Sequence, residues 1–419
     1  WKTVPTREAC GSCHDNVDFA TGANHDGGIQ TDNQCIFCHP PSGGVAGVVD
    51  GHGIPAQVAA ASMELNILDV STAAGTAGAL DVTIQFSVTD PTNADLAYDI
   101  TDKTTVDLTP LSFLIGWDTT DYSNTNSGST PAQPLGAGVS SATDTGNNIY
   151  TLTVTDAVPA GITGSGVVGF QGHPYTDQDG DGDVDDRVPV KSVVKSFAIT
   201  DATAVDRRTV VSIAKCNNCH GSLSLHGSNR TDEIQICVIC HNADATDVSV
   251  RPVDATTATD GKAEEAIDFK YMIHAIHAGD KDMHGFRENG IVVYGRGTTE
   301  HDFSHVRFPG ILQNCEACHV SGAFELPLNA NILPTTVNVG NDPEDPDDDR
   351  EITPVASVCS SCHDSIFSRT HMAENGGNFD FMLFEAEAEG EGSGSGGPSG
   401  EQPPGHTTRT DCTTCHGAQ

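Results

Sequence analysis

Basic and aromatic residues are scarce in this chain of 419 residues, and long apolar runs are missing. Only 5% of the residues are aromatic and 37% are hydrophobic, while the chain contains 44 glycines and 21 prolines. A core built from side chains alone would be thin for this length, so we expect another group to fill part of the interior. No stretch approaches the roughly 20 apolar residues of a membrane-spanning helix. The sequence therefore predicts no membrane span.

The scarcity of Lys and Arg leaves the chain strongly acidic. Asp and Glu number 58 against 20 Lys and Arg, which gives a formal net charge of −38. Such a surface repels phosphate backbones and anionic lipid headgroups, which argues against nucleic-acid binding. The simplest interpretation is a well-solvated surface. The alternative is a surface that meets a cationic partner or a positively charged metal oxide.

No cysteine is spare, because all 14 fall in the pattern C-x-x-C-H. The cysteine pairs are Cys10 and Cys13, Cys35 and Cys38, Cys216 and Cys219, Cys237 and Cys240, Cys315 and Cys318, Cys359 and Cys362, and Cys412 and Cys415. The histidines that close the seven motifs are His14, His39, His220, His241, His319, His363 and His416. No thiol remains for a disulfide or a lipid anchor.

This spacing suits covalent haem attachment. Two thiols three residues apart add to the two vinyl groups of one haem, and the following histidine becomes the proximal ligand of the iron. Paired cysteines can hold zinc, but a histidine after every pair has no role in a four-ligand site. Disulfides do not require that histidine either. We predict seven haem c groups. Since haem c is attached outside the cytoplasmic membrane, we expect a secreted or outer-surface protein and interpret the chain as a mature, processed product.

The motifs are unevenly distributed along the chain. Two lie within residues 10–39, none between 40 and 215, and five between 216 and 416. We predict a dihaem segment over residues 1–57, a haem-free β domain over 58–200 and a pentahaem domain over 201–419. The expected fold class is a multihaem cytochrome c of irregular and short-helix segments packed on haem, with an inserted all-β domain. Residues 385–405 are predicted to be a flexible loop, and Asn341–Arg350 a solvated acidic loop.

The β assignment rests on a period of two. Residues 80–88 alternate apolar and polar without a break, which is typical of a half-buried strand. Further strands are predicted around Met63–Ile67, Tyr150–Val154 and Val190–Ile199, with turn-forming residues between them. This pattern predicts a β-sandwich or split barrel. We interpret it as a spacer or docking module.

Each proximal histidine leaves one axial position on its iron. The chain has 18 histidines, so eleven remain outside the seven motifs, while five methionines are the alternative ligands. Histidine is favoured because its supply is larger. The predicted distal ligands are His25, His52, His226, His274, His277, His371 and His406.

These choices follow from sequence separation. His25, His226 and His371 each lie a short loop away from a motif. His52 and His406 are assigned to the second and seventh haems, which otherwise lack a local partner. The remaining histidines outside the motifs are left as structural or surface residues, with two of them as alternatives to His406; this group is His173, His284, and the alternatives His301 and His305.

One segment predicts a helix that serves two haems. Glu264–Gly279 has helical periodicity, with Asp260 as a start and Gly279 as a stop signal. His274 and His277 lie three residues apart and project from one face. Such a helix could ligate two adjacent haems and set their spacing. The alternative, two surface histidines, is disfavoured because the surrounding face is apolar.

A run of alternating aspartates predicts a calcium loop. Its candidate ligands are Asp177, Asp179, Asp181, Asp183 and Asp185. Oxygen ligands at alternating positions, with Gly182 for the sharp turn, suit Ca²⁺. Val188 stands where an EF-hand carries glutamate, so we predict a calcium-stabilised turn rather than a regulatory hand. A merely solvated acidic turn is the alternative.

Four stretches carry a resemblance to a known family. They are residues 10–25, the helix F-K-Y-M-I-H-A-I-H-A-G at 269–279, residues 306–320 (V-R-F-P-G-I-L-Q-N-C-E-A-C-H-V), and residues 359–377 (C-S-S-C-H-D-S…H-M…N-G-G). In these the chain resembles the multihaem outer-membrane cytochromes of metal-reducing bacteria, the decahaem OmcA/MtrC type. The resemblance covers nearly the whole chain. This chain departs from it in having seven motifs rather than ten and in lacking an N-terminal lipid-anchor cysteine.

The resemblance implies a fold, a function and ligands. It implies alternating β and multihaem domains, electron transfer from the cell to extracellular acceptors such as iron oxides, and bis-histidine ligation. Bis-histidine ligation supports five of the distal histidines: His25, His226, His274, His277 and His371.

We therefore expect extracellular electron transfer through seven closely packed haems, with metal oxides, other redox proteins or further copies of the chain as partners. Motifs near both ends of the sequence favour a conductive filament. The alternative function is a terminal reductase of a metal or oxyanion at the cell surface. That enzyme needs one iron with an open or exchangeable position, which seven histidine-closed motifs and many spare histidines disfavour. A purely structural or adhesive role leaves the haems unexplained.

Overall fold

The computed structural model describes residues 3–14, 16–44, 46–124, 133–280, 287–340 and 348–379. The seventh motif, His406, His284 and the flexible loop predicted over 385–405 lie outside the described residues, as does most of the acidic loop predicted over 341–350. Six of the seven motifs are therefore described.

Twelve strands form the described β domain. In chain order they are β1 (Glu64–Ala74), β2 (Leu80–Asp90), β3 (Leu96–Ala97), β4 (Val106–Asp107), β5 (Ser112–Trp117), β6 (Leu135–Gly138), β7 (Thr143–Gly146), β8 (Ile149–Val158), β9 (Ser165–Gln171), β10 (Tyr175–Thr176), β11 (Asp186–Arg187) and β12 (Val193–Ala198). The first sheet has the order β1-β2-β8-β7, with β3 paired to β2, and the second has the order β12-β9-β5-β6. A small third sheet has the order β11-β10-β4. All of these pairings are antiparallel.

The two larger sheets share one apolar core. In β2 the alternate residues Val82, Ile84 and Phe86 are fully buried, as the period of two predicts. Phe86 contacts Phe113 of β5 and Phe170 of β9, with ring centroids 4.9 and 5.3 Å apart. These rings join the sheets across the core. At the domain edge, Lys195 of β12 donates to a main-chain carbonyl of β1, with 2.5 Å between Nζ and Leu68 O.

Strands β5 and β9 have no alternating pattern, and sequence analysis missed both. Every residue of β9 is buried, and so is every residue of β5 except Ser112. The second sheet is covered on its outer face as well as its inner one, which removes the contrast between faces on which the period of two depends.

The rest of the described chain consists of short helices and hairpins. The helices are α1 (Arg7–Gly11), α2 (Asp32–Cys38), α3 (Val48–Gly51), α4 (Pro55–Ala60), α5 (Ile213–His220), α6 (Ile234–Cys240), α7 (Phe269–His277), α8 (Pro354–Ser360) and α9 (Ile366–Glu374). Three hairpins are formed by β13 (Ser224–Leu225) with β14 (Arg230–Thr231), β15 (Val292–Gly295) with β16 (Thr299–Asp302), and β17 (Thr335–Asn338) with β18 (Arg350–Ile352). Within the described residues, no helix is long and apolar enough to span a membrane.

An ion cluster joins the β domain to the segments that follow it. The Asp121 carboxylate lies 2.9 Å from a guanidinium nitrogen of Arg207 and 3.0 Å from one of Arg208. The main-chain N–H of Leu333 also donates to it. Burial opposes ionisation of this carboxyl group, but the two guanidinium groups outweigh burial and hold its pKa below the usual value. The cluster therefore favours one arrangement of these segments.

We expect Asp121→Asn to lower the free energy of unfolding by about 2 kcal/mol at neutral pH, because two largely buried guanidinium groups lose their counter-charge. Because the pKa of Asp121 is lower in the folded state, its carboxylate stabilises the fold at pH values above the unfolded-state pKa of 3.8. This contribution is lost as the pH falls through the folded-state pKa. The difference between wild type and variant should therefore shrink below about pH 4. Chemical denaturation at several pH values measures it, with the exposed Asp95→Asn as control. A difference that stays constant with pH would contradict this account.

Candidate functional site

The motifs share one backbone turn. In five described motifs the histidine N–H donates to the carbonyl of the first cysteine, at 2.8 to 2.9 Å; the histidines are His14, His39, His241, His319 and His363. In the remaining described motif, Cys216, Cys219 and His220 all lie on α5. A bond from residue i to residue i−4 is one helical turn, so both thiols and the imidazole stay within one turn of backbone. The local sequence thus brings together the three groups that one haem needs.

Five proximal histidines each face a histidine that sequence analysis predicted as distal. The ring centroids of these pairs lie 5.9 to 6.3 Å apart. The pairs are His14 with His52, His39 with His25, His220 with His277, His241 with His226, and His319 with His274.

The pairing differs from the local assignment. His52 was expected at the second motif but faces His14 of the first, and His25 faces His39 of the second. The two motif helices α1 and α2 are held together by Arg7 and Asp32, with 2.8 Å between Nε and Oδ1. Once two motifs lie side by side, a histidine reaches either of them equally well, so sequence separation no longer selects the partner.

The second difference concerns the third and fourth motifs. His226 follows the third motif by a short loop, yet it faces His241 of the fourth. The third motif instead meets His277, which lies 57 positions further along the chain than His220. The hairpin β13–β14 returns the chain directly into α6, which brings His226 to the fourth motif.

Main-chain carbonyls engage one nitrogen of six of these rings. The Nδ1 atom lies 2.6 to 3.1 Å from a carbonyl oxygen in His25, His39, His52, His241, His274 and His277. A carbonyl only accepts, so Nδ1 carries the proton and Nε2 keeps its lone pair. This bond orients the ring and leaves Nε2 as the atom that can bind a metal. No sequence pattern marks these carbonyls.

Helix α7 presents two such rings, and it is shorter than the sequence predicted. It begins after Asp268, whose carboxylate accepts from the Lys270 N–H at 3.2 Å, rather than near Asp260. Residues 260–267 form other contacts. Asp260 binds Arg251, and the Ile267 N–H donates to the Ala245 carbonyl. His274 and His277 then bond back to the carbonyls of Lys270 and Ile273 and face two different motifs.

Burial keeps the rings of His274 and His241 neutral. Burial, with a smaller effect from the neighbouring His319, lowers the pKa of His274 to about 4. Burial likewise lowers the pKa of His241. A neutral imidazole is the form that binds a metal, so both rings are in that form at neutral pH. Burial also raises the thiol pKa of Cys237 to about 12, which shows how enclosed the fourth motif is.

The paired rings fit an iron held between them. Two rings on one metal need about 6 Å between centres, since each metal–nitrogen bond is roughly 2 Å and each nitrogen lies about 1 Å from its ring centre. The observed 5.9 to 6.3 Å matches this requirement. When bound, haem iron supplies one-electron redox chemistry. The role of the chain is to hold the thiols, orient the imidazoles and enclose the group.

The other histidines lie elsewhere. His173 is buried, with both ring nitrogens bonded, Nδ1 to Asn229 and Nε2 to the Tyr175 hydroxyl. This agrees with the structural role that sequence analysis gave it. His301 and His305 are exposed, His301 on β16 beside Phe303. His371, predicted as a distal ligand, lies exposed on the last turn of α9.

The predicted calcium loop joins β10 to β11. Carboxylate oxygens of Asp177, Asp179 and Asp181 lie within 4.8 Å of one another and are exposed. The Asp177 carboxylate accepts from the N–H groups of Gly180 and Gly182, at 2.7 and 3.1 Å. Desolvation and the neighbouring carboxylates, Asp181 first, raise the pKa of Asp185.

A family model decides the classification. Residues 208–419, half of the chain, match the family described as outer membrane cytochrome MtrC/MtrF-like, domains II/IV. The chain belongs to this MtrC/MtrF-like family. Membership implies haem c as the cofactor that the motifs bind.

Structural similarity agrees with this classification of the fold. MtrC from Shewanella baltica OS185 superposes with a TM-score of 0.52 at 18% identity, over 90% of this chain and 58% of the MtrC chain. This chain therefore spans less than two thirds of that protein, and the likeness shows the fold alone. No curated protein sequence gives a significant match.

Proposed function

We propose that this MtrC/MtrF-like chain is an extracellular electron carrier. It works outside the cytoplasmic membrane and passes electrons through seven bis-histidine haems to external acceptors such as metal oxides. The observation that carries the proposal is the set of five imidazole pairs with ring centroids 5.9 to 6.3 Å apart, each containing a motif histidine. An iron with two protein ligands holds no substrate, which suits electron transfer better than catalysis.

Contacts between motifs support electron transfer between neighbouring haems in two places. The Ser212 N–H before the third motif donates to the Cys318 carbonyl of the fifth at 3.0 Å, and Val211 forms a β-bridge with His319. The Lys215 ammonium adds bonds to the carbonyls of Glu316 and His319. The third and fifth haems would then lie side by side, with both distal ligands supplied by α7. Arg7 and Asp32 adjoin the first and second motifs in the same way.

Substitution of the paired histidines, followed by electron paramagnetic resonance of the iron, tests the proposal. We expect seven haems per chain by mass spectrometry and wholly low-spin ferric iron by electron paramagnetic resonance, because each iron has two imidazoles. His52→Ala should convert one haem to high-spin. The double variant Cys10→Ala, Cys13→Ala lacks the first haem. In that background His52→Ala should add no high-spin iron, because the haem that His52 serves is gone. His25→Ala in the same background should add high-spin iron, because His25 serves the second haem. The exposed Asp95→Asn, which changes no candidate ligand, is the control.

Two results would contradict the proposal. Low-spin spectra throughout in His52→Ala would mean that His52 is not the partner of His14. A stoichiometric high-spin signal in the wild type would indicate an open iron, which favours the terminal reductase of a metal or oxyanion.

We further infer that copies of the chain associate into a filament. Two motifs precede the β domain and five follow it. A neighbouring copy therefore offers the dihaem segment a second redox partner, in addition to the haems of its own chain. Electron microscopy of the native secreted protein should show regular filaments. Discrete particles at the same concentration would overturn the filament and leave a shuttle or surface carrier.

We also propose that the loop at Asp177–Asp185 binds Ca²⁺. Its clustered carboxylates repel one another, and a cation relieves that repulsion. Calcium at one hundred times its dissociation constant should stabilise the chelator-treated protein by about 2.7 kcal/mol, read from thermal unfolding. The double change Asp179→Asn, Asp181→Asn should abolish this response, and Asp95→Asn should keep it. An equal response in both variants would identify the effect as non-specific.

A further inference from the structure

The helix of the fourth motif lies on the outer face of the second sheet. Ile239 of α6 packs against Gly116 of β5, where an added Cβ would lie 3.1 Å from the isoleucine methyl, and Ile236 packs against Gly169 of β9 in the same way. Asn124 completes the contact, because its Nδ2 donates to the Ile239 carbonyl at 2.7 Å. Its Oδ1 accepts from the Trp117 N–H at 2.8 Å. The β domain therefore holds the segment that carries His241.

The hairpin that carries His226 is bonded to another edge of the same domain. The Gly172 N–H donates to the Asn229 carbonyl, and the Ser192 N–H donates to the Thr231 carbonyl, both at 2.9 Å. Arg187 of β11 reaches the Gly227 carbonyl, with 3.3 Å between Nη1 and the oxygen. The hairpin is thus attached to the β domain on one side.

The turn of this hairpin is strained. His226, Gly227 and Ser228 have φ angles of 54°, 66° and 71°, three consecutive residues in the left-handed region. Residues other than glycine avoid this region, so the surroundings must compensate the strain at His226 and Ser228. Here the Asn229 side chain does so directly, because its Nδ2 donates to the His226 carbonyl at 2.9 Å.

A buried histidine of the β domain fixes that asparagine. His173 Nδ1 lies 2.7 Å from Asn229 Oδ1, and its Nε2 lies 3.2 Å from the Tyr175 hydroxyl. The side chain of Asn229 therefore has a single orientation, with its oxygen toward His173 and its nitrogen toward His226. A chain of bonds runs from β10 through His173 and Asn229 to the backbone of His226.

We propose that the β domain is a clamp for the fourth haem: it seats α6 with His241 on one side and sets His226 on the other, through the positioning residues His173 and Asn229. The inference rests on the proposed ligation of the fourth haem by these two histidines. It gives the β domain a task inside the electron path, in place of a spacer. Both positioning residues act through the backbone of His226.

Four variants and one control variant test the clamp by spectroscopy and ligand exchange. His226→Ala identifies the fourth haem as the one that becomes high-spin. Asn229→Ala and His173→Ala should shift the low-spin signal of that haem and speed its displacement by cyanide roughly tenfold, the effect typical of losing an outer-shell partner. His173→Asn, which keeps a donor near the position of Nδ1, should restore the wild-type rate. Asn148→Ala is the matched control, since Asn148 is a turn asparagine with φ of 56° whose amide donates to the Ala97 carbonyl in the same domain.

The outcomes separate the clamp from the ligation on which it rests. If His226→Ala gives one high-spin haem while Asn229→Ala and His173→Ala leave that haem unchanged, the clamp is overturned and the ligand stands. If His226→Ala leaves every haem low-spin, the ligation itself is wrong. If Asn148→Ala speeds cyanide binding as much as Asn229→Ala does, the effect is general destabilisation, and the clamp is again overturned.

Discussion

The proposed ligation of each iron by two imidazoles imposes the constraint on which this structure depends. The C-x-x-C-H turn brings two thiols and one imidazole together from adjacent residues, but it leaves the opposite axial position to a residue from elsewhere in the chain. Each described pair therefore ties two segments together at a ring separation of 5.9 to 6.3 Å. Where one helix supplies two rings, as α7 does, it ties the third motif to the fifth. The ligand contacts thus add to the small apolar clusters that these segments bury, such as the one around Tyr271 and Ile352.

The β domain, in contrast, is held together without haem. Its core is made of side chains alone, with Phe86, Phe113 and Phe170 in mutual contact and fully buried. Such a core is rigid, because close-packed interiors resist deformation. A haem ligand attached to it is held more firmly than one on a loop. The fourth motif lies on the second sheet and is held in this way. The first two motifs are not, and their cysteines Cys13 and Cys38 are exposed.

Sequence patterns predicted the parts of the structure that local chemistry decides. The alternation in residues 80–88 corresponds to β2, and the three-residue spacing of His274 and His277 places them on one short helix that faces two motifs. The pattern could not reveal β5 and β9, because strands covered on both faces lose their period. Nor could it select which motif His52 or His226 meets, since that depends on how segments lie side by side. The carbonyl partners of Nδ1 are backbone atoms and carry no sequence signal at all.

Several of the few cations of the chain lie inside it, where they pair with acidic side chains. Arg251 and Arg287 are only 4% and 2% exposed, and Asp121 pairs with two more arginines. Arg251 lies against Asp247 and Asp260, while Arg287 bonds the Ser361 carbonyl beside the sixth motif. Buried pairs of this kind add little net stability but penalise any other arrangement of the segments they join. Only six of the described acidic side chains are buried, so most of the net negative charge lies at or near the surface. Attraction to a cationic acceptor is then a surface effect, which salt screens beyond roughly 8 Å at physiological ionic strength. It therefore acts on the rate at which the two molecules meet. The hydrogen bonds and ion pairs inside the chain keep the paired histidines in position.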